Sequence, residues 1–118
     1  MALRSLIVDD NPHFLRSARD LLSREGIAVV GIASTIAEAL QRAEQLRPDV
    51  TLVDIDLGPE SGLDLVRRLP WPAILVSAYA ESDFEELIAT SPAVGFLSKS
   101  ELGAGAIRAL LASATRGT

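Results

Sequence analysis

Val50-Thr51-Leu52-Val53-Asp54-Ile55-Asp56 is the stretch that decides the fold, because in it a short apolar run ends abruptly at a carboxylate. A run of this length, rich in β-branched residues, is typical of a strand buried on both faces of a parallel sheet. Asp54 stands where this strand leaves the sheet. Since the reactive crevice of parallel α/β sheets lies at the carboxyl ends of the strands, the stretch predicts a functional carboxylate at that edge.

On either side of this stretch, apolar runs alternate with segments of helical periodicity. Asn11 with Pro12 signals a helix start, and Gly26 and Pro48 signal helix ends. Five strands that alternate with five helices predict a parallel sheet with helices on both faces and right-handed crossovers. The further strands are predicted over 3–8, 27–33, 73–76 and 93–98, and the helices over 13–25, 36–47, 63–69, 81–90 and 101–114, with a loop at 57–62.

Composition narrows the class of protein. The 118 residues predict one domain, 1–118, and an effector domain beyond residue 118 is left open. The chain has no cysteine, which excludes disulfides and thiolate metal sites, and it has no apolar run of the ~20 residues that a membrane span needs. A net charge of −5 without a basic block argues against direct nucleic-acid binding. We therefore expect a cytoplasmic domain that contacts neither membrane nor nucleic acid directly.

Polar groups of different chemistry follow four of the five strands. They are Asp9 and Asp10, Asp54, Ser77, and Lys99, which is the only lysine of the chain. Three carboxylates in one crevice repel each other, and a divalent cation relieves that repulsion. Carboxylate oxygens with room for water and phosphate suit Mg²⁺. With an ammonium and a hydroxyl nearby, the set predicts phosphoryl transfer, in which an aspartate can act as the nucleophile.

In order and position, these motifs resemble those of a response-regulator receiver domain of two-component signalling. The resemblance covers nearly the whole chain and is carried by Asp9-Asp10, Asp54, Ser77-Ala78 and Gly95-Phe96-Leu97-Ser98-Lys99. The last stretch is similar to the receivers of DNA-binding response regulators. The resemblance implies a flavodoxin-like (βα)5 fold, a doubly wound five-stranded parallel sheet of strand order 2-1-3-4-5.

The resemblance also implies the roles of the acidic residues. Asp54 would be the phosphoacceptor and would share a Mg²⁺ ion with Asp10. Asp9 would bind the ion directly or through water, and the backbone carbonyl of Asp56 would supply a further ligand.

The remaining site residues are assigned in the same way. Ser77 would hydrogen-bond the phosphoryl group, and Lys99 would pair with it. Phe96 would be the switch aromatic that follows Ser77 when the site is phosphorylated. The side chains of Asp56 and Tyr79 occupy positions that tune phosphate lifetime in the family.

The resemblance implies a signalling switch rather than an enzyme. A sensor histidine kinase would donate the phosphoryl group to Asp54, which would remodel the face made by the fourth helix, fifth strand and fifth helix. A homodimer through that face and control of transcription are further expectations. One departure is Ser100, which stands after Lys99 where many receivers have proline.

Two alternatives stay open at this stage. Asp54 to Gly58 also resembles the first motif of haloacid-dehalogenase-type phosphatases, with Asp54 as nucleophile and Asp56 as acid and base. That family has its metal-binding acids after the lysine, whereas here the acidic pair precedes it. The second alternative is an interaction module of the same fold that works without phosphate.

Overall fold

A five-stranded parallel sheet with helices on both faces makes up the chain in a computed structural model, which describes residues 2–69, 72–79 and 85–116. The strands are β1 (Leu3–Val8), β2 (Ile27–Ala33), β3 (Val50–Asp54), β4 (Asp56–Leu57), β5 (Glu60–Ser61), β6 (Ala73–Ser77) and β7 (Gly95–Ser98). The helices are α1 (Pro12–Arg24), α2 (Ile36–Leu46), α3 (Gly62–Arg68), α4 (Glu85–Ala89) and α5 (Ala104–Arg116), and a 3₁₀ turn spans Lys99–Glu101.

The strand order of the large sheet is β2-β1-β3-β6-β7, and every neighbouring pair is parallel. Because β6 and β7 are the fourth and fifth long strands along the chain, this order is the predicted 2-1-3-4-5, and the flavodoxin-like fold is confirmed. The sheet therefore brings the carboxyl ends of β1, β3, β6 and β7 to one edge, side by side.

Two apolar layers sandwich the sheet, and alternate residues of each strand enter opposite layers. One layer packs the sheet against α2 and α3 and includes Leu6, Val53, Leu65 and Leu75. The other packs it against α1 and α5, with members that include Ile7, Leu15, Leu22, Leu52, Ile74 and Ile107. β3 and β6 are buried along their whole length, as an apolar run in the middle of a parallel sheet should be.

Side-chain caps fix the starts of α1 and α2, and the cap of α1 is the predicted Asn11. Asn11 Oδ1 accepts hydrogen bonds from the backbone N–H of His13 at 2.9 Å and of Phe14 at 3.3 Å. His13 is exposed in the first turn of α1. Thr35 caps α2 by accepting from Glu38 N at 3.1 Å, while Glu38 Oε1 accepts from Ser34 N at 2.7 Å. These bonds satisfy N–H groups that a helix start leaves without a partner.

The outer strand β2 carries an irregularity and a side-chain cover. Its register against β1 shifts between Ser5 and Leu6, where β2 contains one extra residue. Arg42 Nε, reaching from α2, donates to the backbone carbonyl of Ile32 at 2.6 Å. Part of this sheet edge therefore already has a hydrogen-bond partner within the chain.

Three features differ most from the sequence prediction. Residues 57–62 do not form a simple loop, because β4 and β5 make a short antiparallel hairpin. The fifth strand begins at Gly95 instead of residue 93, and the last helix begins at Ala104 instead of Glu101. The predicted start of the fourth helix at 81–84 and the aromatic residue Trp71 lie outside the described residues.

The late start of α5 has one local cause and one distant cause. Ser98 Oγ lies 2.7 Å from Glu101 Oε1 and 3.0 Å from Ser100 Oγ, and these contacts hold the chain in a separate 3₁₀ turn. The helix then starts where Glu25 Oε1, at the end of α1, accepts from Ala104 N at 2.7 Å. A carboxylate at a helix N-terminus is favourable, so a residue 79 positions away sets this boundary.

Candidate functional site

Neighbouring strands bring together the two most buried carboxylates of the described residues. Val8 of β1 pairs with Val53 of β3, and each is followed at once by an aspartate, Asp9 and Asp54. The Asp9 side chain is 1% exposed and that of Asp54 is 8% exposed. Two carboxyl groups buried side by side need a compensating charge.

The strands on the other side of Asp54 supply a hydroxyl and an ammonium group. Asp54 pairs with Val76, the residue before Ser77, and Ser77 pairs with Ser98, the residue before Lys99. The sheet therefore aligns the predicted groups in the order acid, acid, hydroxyl, ammonium along one edge. This alignment is what the apolar runs and their polar ends predict.

Lys99 is the compensating charge. Its Nζ atom lies 2.7 Å from Asp9 Oδ2 and 3.2 Å from Asp54 Oδ2, and its side chain is only 20% exposed. Asp9 Oδ2 is buried, and its partner within the described ranges is the ammonium group of Lys99. One lysine thus holds the two carboxylates of β1 and β3 together.

The second oxygen of each carboxylate is fixed by the backbone that follows it. Asp9 Oδ1 accepts from Asn11 N at 2.8 Å, and Asp54 Oδ1 accepts from Asp56 N at 3.0 Å. In both residues, therefore, Oδ1 turns toward its own loop and Oδ2 toward Lys99. This arrangement sets the orientation of both carboxylates before any ligand binds.

Burial dominates the protonation of Asp54. Desolvation and the nearby charge of Asp9 together raise the pKa of this carboxyl group from 3.8 to about 6, although the Asp56 N–H and Lys99 oppose the rise. For Lys99, burial lowers the pKa, but the contact with Asp9 and the charge of Asp54 more than offset it, so the pKa lies above 10.5. At neutral pH, Asp54 is mainly a carboxylate and Lys99 a full cation.

Asp10 completes a cluster that suits a hard metal ion. Asp9, Asp10 and Asp54 each offer a carboxylate oxygen, and these three atoms lie within 4.8 Å of one another. Asp10 is exposed, whereas the other two are buried, so the cluster opens to solvent on the Asp10 side. Clustered oxygen donors with one open side fit Mg²⁺, which keeps several waters and one or two carboxylates.

The loop after Asp54 passes close to the carboxylate cluster. Gly58 has φ +63°, and a Cβ atom there would be 3.3 Å from Asp10 Oδ2. Glu60, on the other strand of the hairpin, accepts from the backbone N–H of Ile36 at 3.0 Å through Oε1. The hairpin that contains Asp56 is therefore tied to the start of α2.

The remaining predicted residues lie around the acidic cluster in different environments. Ser77 is buried, and its Oγ accepts from Tyr79 N at 3.0 Å, which fixes the hydroxyl at the end of β6. The side chain of Tyr79 is 59% exposed. Phe96 is partly buried against the apolar layer on the α2 and α3 face. Asp56 is exposed.

Sequence reasoning missed two residues that contact the site. Phe14, for which the sequence predicted no more than a place in the helix at 13–25, has its ring centroid 4.2 Å from Lys99 Nζ. Gly62, assigned to a loop, packs against the backbone carbonyl of Asp54. The glycine at position 62 was itself a weak sign of a close backbone contact. No sequence pattern indicated that Phe14 lies beside Lys99.

The sequence profile of the response regulator receiver domain matches residues 5–111, which includes every residue of the acidic cluster. The chain belongs to this family. As a receiver domain, it is a module of two-component systems, and its relatives include regulators of transcription. None of the helices in the described ranges is both long and apolar enough to cross a membrane.

Curated relatives of the receiver are longer than this chain. The DNA-binding transcriptional activator EvgA of Escherichia coli strain K12 is 29% identical over 104 residues, which are 84% of this chain and 51% of EvgA. A protein-glutamate methylesterase/protein-glutamine glutaminase of Alkalilimnicola ehrlichii is 36% identical over 83 residues, 66% of this chain and 21% of that protein. The chain thus spans about half or less of the relatives it matches.

A solved structure confirms the receiver fold over almost the full length. The signal receiver domain of the response regulator NarL from Mycobacterium tuberculosis superposes with a TM-score of 0.81 at 28% identity and covers 97% of both chains. The receiver fold is thus shared by an independently solved member of the family.

Proposed function

We propose that this receiver is a phosphoacceptor switch of a two-component system, with Asp54 as the residue that takes the phosphoryl group. The observation that carries the proposal is the contact of one ammonium group, Lys99 Nζ, with both buried carboxylates, Asp9 and Asp54. A lysine held at this position can pair with a phosphoryl oxygen on Asp54 as readily as with the carboxylate.

The proposed step is a single displacement at phosphorus. An oxygen of the ionised Asp54 carboxylate forms a bond to phosphorus while the P–N bond of a phosphohistidine on the kinase breaks. The imidazole leaves with the electron pair of that bond and takes a proton from solvent. Since the pKa of Asp54 is about 6, the nucleophile is mostly ionised at neutral pH.

A divalent cation, proposed to be Mg²⁺, would be held by Asp9, Asp10, Asp54 and the backbone carbonyl of Asp56. When bound, it neutralises charge on the transferring phosphoryl oxygens. The clustered oxygens of the three aspartates support this assignment, because their mutual repulsion falls when a cation binds.

Ser77 and Lys99 are proposed to follow the phosphoryl group, and Phe96 to respond. The Ser77 hydroxyl is buried at the end of β6, next to the strand that ends in Asp54, so a short movement would bring it to the new oxygens. Phe96 is only partly buried against the layer on the α2 and α3 face, and it is proposed to turn inward when Ser77 moves. Asp56 and Tyr79 are exposed and are proposed to affect how fast water removes the phosphoryl group.

The partner is proposed to be a sensor histidine kinase, and the output a change in the face formed by α4, β7 and α5. A homodimer through this face is proposed as well, and Leu87 of α4 is an exposed apolar side chain on it. A response regulator from Burkholderia pseudomallei, solved with a phosphorylated aspartic acid and a calcium ion, is 27% identical, with a TM-score of 0.80 over 96% of this chain and 69% of that one. That protein supports the same chemistry here.

The direct test is phosphorylation by acetyl phosphate with and without Mg²⁺, followed by intact-protein mass spectrometry. We expect one phosphoryl group per chain in Mg²⁺, none with Asp54→Asn, and unchanged uptake with the exposed control Asp20→Asn. Multiple turnover of a phosphate ester would instead support the haloacid-dehalogenase-type phosphatase. No uptake by the wild type would support a phosphate-independent module and overturn the proposal.

A further inference from the structure

The ammonium group of Lys99 has a third neighbour besides the two carboxylates. The ring of Phe14, in the first turn of α1, lies with its centroid 4.2 Å from Lys99 Nζ. An ammonium carries three N–H donors, and an aromatic face within about 6 Å attracts such a cation. Asp9, Asp54 and Phe14 thus surround Nζ from β1, β3 and α1.

The position of Phe14 is itself fixed. Its backbone N–H donates to Asn11 Oδ1 at 3.3 Å, and the residue packs against the apolar layer between the sheet and α1. Its neighbour Leu15 is buried in that layer. The backbone of Phe14 is therefore held at the start of α1, with the ring packed between that layer and Lys99.

We propose that Phe14 is a positioning residue that keeps the Lys99 ammonium beside Asp54 during phosphoryl transfer. The need arises because a cation bound by Asp9 repels the ammonium and weakens the 2.7 Å ion pair that now holds it. The ring carries no charge, so its attraction for Nζ persists when the carboxylate charge is neutralised. This inference rests on the proposed function of Asp54 and adds a residue that acts only through Lys99.

The test compares Phe14→Leu, which keeps apolar bulk but removes the ring, with Phe14→Tyr, which keeps the ring. At saturating Mg²⁺ we expect Phe14→Leu to slow phosphorylation by acetyl phosphate about three- to tenfold and Phe14→Tyr to stay within about twofold of the wild type. Binding of beryllium fluoride with Mg²⁺ should weaken by a similar factor in Phe14→Leu. The Mg²⁺ affinity measured without phosphoryl donor should stay within about twofold in both variants.

Two further measurements separate positioning from a merely structural role. A double-mutant cycle measures the coupling between Phe14 and Lys99. Because Phe14 acts only through Lys99, Phe14→Leu should not slow phosphorylation further in a Lys99→Ala background. The second measurement is proton NMR of the Lys99 side chain, whose ε-methylene protons can be assigned directly because Lys99 is the only lysine. The wild type and Phe14→Tyr should show a ring-current shift of these protons that Phe14→Leu lacks. If Phe14→Leu does not unfold cooperatively, Phe14→Met takes its place.

Equal phosphorylation rates in the wild type and Phe14→Leu would overturn this inference and leave the function of Asp54 standing. The role of Phe14 is also excluded if Phe14→Tyr slows phosphorylation as much as Phe14→Leu does. It is likewise excluded if Phe14→Leu slows phosphorylation by the same factor in the Lys99→Ala background. A wild type that takes up no phosphoryl group would overturn the proposed function itself, and with it the role of Phe14.

Discussion

Gly62, the first residue of α3, lies so close to the backbone carbonyl of Asp54 that a Cβ atom at position 62 would overlap the carbonyl oxygen. The Gly62 N–H donates to the carbonyl of Ile55 at 2.8 Å, so the same residue closes the loop that follows the candidate phosphoacceptor. The absence of a side chain at one position therefore sets the distance between α3 and the end of β3.

This contact makes Gly62→Ala a severe change. The atoms that would meet the new methyl group belong to the backbone and cannot rotate away, so we expect a loss of about 2–4 kcal/mol in unfolding free energy, measured by urea denaturation. Gly105→Ala is the matched control, because nothing lies within 4 Å of a Cβ there and the residue is in α5. That variant should gain about 0.5–1 kcal/mol. Similar effects of the two substitutions would contradict the close approach.

The raised pKa of Asp54 predicts a pH dependence of stability in metal-free buffer. The folded state holds the proton up to about pH 6, whereas the unfolded chain releases it near 3.8, so this group makes the fold less stable as pH rises between those values. The groups that face it are Asp9, Asp10, Asp56 and Lys99. Relative to Asp54→Asn, the wild type should lose about 1–3 kcal/mol between pH 4 and 7. Parallel stability curves for the two proteins would refute the prediction.

Glu60 should contribute to stability far from its own place in the chain. It is the acceptor for the first N–H of α2, so Glu60→Ala leaves that group to solvent and removes a favourable charge from the helix start. We expect a loss of about 1 kcal/mol in urea unfolding. Glu44→Ala, an exposed acid on the same helix, should change stability by less than about 0.5 kcal/mol. An equal loss in both variants would point to net charge as the cause.

Removal of Mg²⁺ should lower the thermal stability of the receiver. A ligand that binds only the folded state at about ten times its Kd adds ~1.4 kcal/mol, which calorimetry detects as a rise in Tm of several degrees. Asp10→Asn should lose most of this rise, because it removes the exposed member of the cluster. Asp20→Asn should keep it. If the Tm of the wild type is the same with and without Mg²⁺, the proposed cation site is contradicted.

Much of the fold could be predicted because its signals are local. The apolar run at Leu3–Val8 and the cap at Asn11 can each be recognised from neighbouring residues alone. Both β1 and the start of α1 lie within one residue of the predicted positions. The meeting of Asp9, Asp54 and Lys99 could be predicted as well, since parallel strand ends share one edge.

The features that sequence reasoning missed depend on contacts between distant parts of the chain. The hairpin of β4 and β5 has two residues in each strand, too few for any periodicity to register. The start of α5 depends on Glu25, which no local pattern connects to Ala104. Phe14 has helical spacing like any core residue, and only the assembled fold shows that its ring faces an ammonium group.

The cover that Arg42 places over Ile32 has a consequence for how copies of this domain can associate. An uncovered outer strand as apolar as β2 invites another chain to dock by backbone pairing, the route to swapped dimers and fibrils. Here an incoming strand would first have to displace a guanidinium group, and the extra residue in β2 would then put its register out of step. The outer edge of β2 is therefore a poor surface for strand pairing between copies of the domain.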